Sequence, residues 1–134
     1  MDGKRSAAWF WVSAIVFAHL VISIVHGAAH ARAHVSLSRA ASLFVFVVIL
    51  AGPLIGLALT WPAERLGGWL IAATMAGSLV FGLLNHFVIA SPDHVAHVDS
   101  QWRLLFATSA ALLAVTEAIG LGLALRLVRE RKQS

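Results

Sequence analysis

The chain has 134 residues, 60% of them hydrophobic and 12% charged, with a net charge of +4 and a mean hydropathy of +0.86. About a quarter of the residues of an ordinary soluble domain are charged, so that class is excluded. Cysteine and tyrosine are absent, which excludes disulfides, thiolate clusters and tyrosyl chemistry.

Four apolar runs follow in order, at about 7–29, 40–61, 68–90 and 104–128. Each holds roughly 20 residues or more, enough to cross about 30 Å of hydrocarbon at about 1.5 Å per residue. The expectation is a single domain, an all-α integral membrane protein built as a four-transmembrane-helix bundle. Short connections predict antiparallel neighbours for consecutive helices. The first run follows Lys4 and Arg5 and precedes Ala31-Arg32-Ala33, which mimics a secretory signal. Its apolar stretch is longer than a signal needs, so it is read as a span. Pro53 predicts a kink in the second run.

The basic residues set the expected orientation. Lys4, Arg5, Arg65, Arg126, Arg129, Arg131 and Lys132 fall on one side, and Arg32, Arg39 and Arg103 on the other. The excess marks the cytoplasmic side, with both termini there. Trp9, Trp11, Trp61 and Trp69 fall at that inner boundary and Trp102 at the outer one, as interfacial tryptophans do. The expected location is a bacterial inner membrane. The expected partners are the lipid bilayer and a second copy or a larger membrane complex. With basic residues confined to helix ends, no nucleic acid is expected.

Seven histidines interrupt this apolar chain: His19, His26, His30, His34, His86, His94 and His97. On the first span His19, Ser23, His26 and His30 lie on one stripe, because steps of seven and eleven residues return to nearly the same helix face. A polar stripe in a membrane helix faces the bundle interior or a cavity. Counted from the inner boundary, His26 and His86 both stand roughly 27 Å up. His30 lies just above, and Asp93, His94 and His97 follow the third span, where Ser91-Pro92-Asp93 predicts a turn.

Imidazoles with a carboxylate suit a first-row transition metal, Cu, Fe or Zn. The expected ligands are His26, His30, His86, His94 and His97 with Asp93. No HExxH motif occurs. A b-type haem held axially by His26 and His86 is the alternative cofactor. A third reading makes the polar stripe structural, as helix-to-helix hydrogen bonds in a subunit of a larger complex.

Glu117 is the one acid inside any of these runs. A lone carboxylate there is costly, and His19 is its expected partner, at a similar depth. Asp93, Glu117 and His19 are the expected proton-transfer residues. The small-residue row Ala110, Ala114, Ala118, Gly122 is expected to turn Glu117 inward. The functional readings are a metal-dependent or redox membrane enzyme, a haem protein, and a metal or proton carrier with a path from His30 through His26 and His19 to Glu117.

Overall fold

The computed structural model describes residues 7–130, so Lys4, Arg5, Arg131 and Lys132 of the charge argument lie outside the described residues. Four helices are long and apolar enough to cross a membrane. They are α1 (Ala7–Arg32), α2 (Arg39–Leu59), α3 (Glu64–Val88) and α4 (Ser100–Glu130). The shortest has 21 residues, roughly 30 Å of rise.

Their outer faces are apolar too. Phe17, Val21, Ile24, Leu43, Phe46, Val80 and Leu104 are exposed around the bundle. Such a belt in water would be an aggregation surface, whereas hydrocarbon accepts it without cost.

α1 packs chiefly on α4, α4 on α3, and α3 on α2. The expected neighbour pair α1 and α2 is the weak one. They meet through the Gly52–Leu59 end of α2. There Trp9 Nε1 donates to Thr60 Oγ1 at 2.9 Å, which joins the two helices near the end of the bundle where α1 begins and α4 ends, called the inner end from the expected orientation. Their outer halves part.

Two apolar cores result. Ala8, Val12, Val16, Ile71, Ala72, Met75, Ala124 and Leu127 fill the inner end. Ala29, Val98 and Phe106 form a smaller core at the outer end. The polar stripe of α1 lies between them.

The small-residue contact on α4 runs one face away from the expected row. Ala118 and Gly122 are exposed. Thr116, Gly120, Ala124 and Val128, also spaced four apart, are the buried row. A Cβ at Gly120 would stand 3.2 Å from Met75 Sδ, so the missing side chain lets α3 approach. Glu117 still points inward and is 2% exposed.

Two helices carry π turns. α2 is π-helical over Val45–Ala51, immediately before Gly52-Pro53, and α3 over Leu84–Val88. Pro53 has no N–H, so an α-helical bond to the Ile49 carbonyl is impossible. His19 of α1 supplies the donor instead: its Nε2 lies 3.0 Å from Ile49 O. Side chains of neighbouring helices commonly re-satisfy a carbonyl freed by a membrane proline.

Candidate metal centre

Three imidazoles converge where the diagonal helices α1 and α3 face each other. Nε2 of His26 and Nε2 of His86 are 3.1 Å apart. His30, one turn above His26, packs its ring 4.8 Å from His26 and 5.7 Å from His86. One ring nitrogen from each of the three lies within 4.8 Å of the others. His26 and His86 are 6% and 5% exposed. Phe106 of α4, fully buried, backs all three rings.

Local backbone puts them there. The π turn that contains His86 is closed by Ile89 N–H on Leu84 O at 2.7 Å. A π turn re-aims side chains relative to an α-helix, and such turns recur at functional sites. Ile89 then leaves the helix in an extended conformation, and the loop folds back. Val95 N–H donates to His86 O at 3.0 Å, and Asp93 N–H to Ser91 Oγ at 3.3 Å. Asp93 is thereby set over the cluster.

At the end of α1, His34 adopts φ 54°, the left-handed conformation that closes many helices. Val35 N–H reaches back to His30 O and His34 N–H to Ala31 O, the pair of bonds of a Schellman cap. The reversal carries Val35 O to within 3.3 Å of His30 Nδ1.

The remaining ring nitrogens are all tied to protein oxygens. A carbonyl only accepts, so His30 Nδ1–H donates to Val35 O and His86 Nδ1–H to Asp93 O at 3.1 Å. His26 Nδ1 lies 2.8 Å from Ser109 Oγ, and Ser109 Oγ lies 2.7 Å from Leu105 O.

Two proton arrangements satisfy this set. If Ser109 donates to His26, a chain runs from Ser109 through His26 and His86 to Asp93. If Ser109 donates to Leu105 O, as helix serines do, it accepts from His26 Nδ1. The Nε2 lone pairs of His26 and His86 then face each other at 3.1 Å, and a cation between them removes the repulsion. Two imidazole nitrogens on a tetrahedral zinc stand roughly 3.3 Å apart, given Zn–N bonds of about 2.0–2.1 Å. The three residues therefore fit a metal ion.

Asp93 Oδ1 lies 3.3 Å from both His30 Nε2 and His86 Nδ1, and it is buried without a hydrogen bond among the described residues. Burial opposes ionisation of Asp93. His86, with His30 and His26 behind it, still holds the carboxyl below the usual carboxylate value.

The other expected ligands stand apart. His94 and His97 stack on each other in the loop, with ring centroids 5.3 Å apart. His94 Nδ1 accepts from Ala96 N–H, and His97 Nδ1 donates to Ser91 O at 2.7 Å. Neither joins the three-imidazole group. A haem between His26 and His86 does not fit their geometry. Axial nitrogens stand roughly 4 Å apart, with a macrocycle between them. Here they are 3.1 Å apart, with His30 and Phe106 packed on both rings.

Below this centre, Glu117 Oε1 lies 3.8 Å from His19 Nδ1. The two are neighbours, as expected, at a distance too long for a direct hydrogen bond. His19 directs Nε2 to Ile49 O instead, and its Nδ1 is buried with no hydrogen-bond partner among the described residues. Asn85 Nδ2 donates to Phe81 O of its own helix at 2.8 Å.

A cavity of about 460 Å³ joins the two polar groups. His26, His30, His86 and Asp93 line one end, and Glu117 lines the other. The polar stripe of α1 faces it, as expected of the bundle interior or a cavity, and its extent depends on the parting of α1 and α2. Gly82, one turn before His86, forms part of its wall.

Comparison with known proteins finds no counterpart: no family model matches the chain, and no curated protein or solved structure is similar to it.

Proposed function

We propose that this chain is a multi-pass membrane metalloprotein with one first-row transition-metal ion held by His26, His30 and His86 near the outer membrane face. One observation carries the reading: each imidazole has one nitrogen tied to a protein oxygen while the three rings converge. Metal-ligating histidines are held in this way, because the second hydrogen bond fixes tautomer and orientation.

Nitrogen ligands beside a carboxylate suit Zn, Cu(II) or Fe. Three protein ligands leave a coordination position open, the arrangement of catalytic rather than structural sites. An ion so held supplies Lewis-acid polarisation or, for Cu and Fe, electron transfer. The Asp93 carbonyl orients His86 and its carboxylate faces His30, and Glu117 stands across the cavity as a proton-exchanging group with His19 behind it. The carrier reading is weaker, since the inner end of the bundle is filled by Val12, Val16, Ile71 and Met75. That core is apolar among the described residues.

The seven-to-three basic asymmetry sets the orientation, with both termini cytoplasmic and the centre at the opposite face.

Elemental analysis of purified, metal-loaded protein tests the reading. One ion per chain is expected, with no Soret band. His26→Ala, His30→Ala and His86→Ala should each lower metal affinity at least a hundredfold. His94→Ala and His97→Ala should leave it within about twofold. Unchanged metal content in His86→Ala, or a Soret band in the parent protein, overturns it.

A further inference from the structure

The cavity between the three-imidazole centre and Glu117 has a shape and a chemistry of its own. Ile24 and Phe46 line it and are also 65% exposed on the outer surface of the bundle. Gly27 lines it too, and a Cβ there would meet nothing within 4 Å. The cavity therefore opens sideways between the outer halves of α1 and α2, toward the lipid rather than toward either aqueous side. Its volume falls within the range of about 300–1,000 Å³ typical of small-molecule sites. Leu50, Phe81 and Leu113 make most of its wall hydrocarbon.

The carboxyl at one end lacks a partner. Glu117 is 2% exposed, faces the cavity and makes no hydrogen bond among the described residues; His19 Nδ1 stands 3.8 Å from it, outside the cavity wall. An unsatisfied carboxyl is costly in a hydrocarbon setting, so it calls for a hydrogen-bonding group from a ligand.

Gly82 fixes the spacing. A Cβ there would lie 4.0 Å from Glu117 Oε2 and 4.0 Å from His86 Cδ2, the carbon bonded to Nε2. The carboxyl and the ring edge are thus within twice that distance of each other. One hydroxyl group placed there would hydrogen-bond the Glu117 carboxyl and turn its oxygen to the centre.

The geometry points to a binding site for a membrane-dissolved long-chain alcohol, its hydroxyl between Glu117 and the His26–His30–His86 centre and its chain leaving between α1 and α2. The alcohol is favoured by charge. A carboxylate head would be repelled by Asp93, and a cationic head by a metal ion. An apolar hydrocarbon would leave the Glu117 carboxyl unpaired. The inference rests on the metal-centre reading for one of its two ends only.

Native mass spectrometry of protein released from lipid nanodiscs tests it, because bound metal and bound amphiphile appear as separate mass increments. Hexadecanol is the probe, zinc the metal, and hexadecane the control. One hexadecanol per chain is expected, with at least tenfold weaker uptake of hexadecane. Gly27→Phe at the mouth and Gly82→Leu between the two ends should each cut hexadecanol uptake at least tenfold while zinc stays bound. Glu117→Leu should do the same. Equal uptake of the alcohol and the hydrocarbon overturns the inference, as does uptake unchanged in all three variants. Zinc bound without any alcohol adduct overturns this inference and leaves the metal reading standing. An alcohol adduct without zinc overturns the metal reading alone.

Discussion

Asp93 is the residue on which the geometry of the centre turns. Its backbone carbonyl takes the His86 Nδ1 proton, and its carboxylate stands 3.3 Å from both His30 and His86. Asp93→Asn keeps the carbonyl and hence the His86 tautomer, but removes the charge. The expected result is a properly folded protein with metal affinity lowered about ten- to a hundredfold, the usual cost of losing an outer-shell partner, read by competition with a chelator. The pH dependence separates this residue from the ligands. The Asp93 carboxyl is held below its unfolded value, so its contribution is complete above about pH 4 and is lost only as pH falls further, through the folded value. Imidazoles must be neutral to bind metal, so acid release that persists in Asp93→Asn belongs to them. At this scale the sequence was informative where helical geometry governs. Equal depth brought His26 and His86 to face each other, and a turn at Ser91-Pro92-Asp93 brought Asp93 near them. His94 and His97 lie outside the three-imidazole group because loop backbone bonds, invisible in a spacing pattern, turn them to each other.

The elements show how irregular backbone serves the polar layer. All four spans were legible from hydropathy, since the bilayer permits little else. Pro53 was legible as a perturbation, but its consequence was not. The structure answers it with a π segment before the proline and with His19, which caps the freed Ile49 carbonyl. That cap explains why Glu117 has no direct bond to His19. The end of α1 depends on His34 in the left-handed conformation. A non-glycine residue there costs roughly 1–2 kcal/mol, which glycine does not. His34→Gly should therefore raise the thermal midpoint of the detergent-solubilised protein, and His34→Val should lower it. Metal binding should be unaffected by His34→Gly, because the Val35 carbonyl stays in place for His30. A drop in stability for His34→Gly would show that the histidine side chain itself holds the turn.

On the scale of the whole molecule, the feature that matters is the asymmetry between the two ends of the bundle. The inner end is closed by the Trp9–Thr60 bond and an apolar core. At the outer end α1 and α2 part, and the cavity opens. Neighbour order around a bundle is set by which faces interlock, here Gly68 and Gly120 letting α3 meet α4, and no hydropathy profile encodes it. Orientation in the membrane is carried by charge instead, and it decides whether the metal centre samples the external or the cytoplasmic metal pool. The chain has no cysteine, so single introduced thiols report cleanly. Ser100 and Ala63 are exposed at opposite ends of the bundle. With both termini cytoplasmic, Ser100→Cys should react with a membrane-impermeant maleimide in intact bacterial cells, and Ala63→Cys only after permeabilisation. The reverse pattern would put the seven-residue basic side outside and the histidine centre at the cytoplasmic face. The three-imidazole geometry would stand in that case, but the centre would draw its ion, and exchange its protons, on the cytoplasmic side.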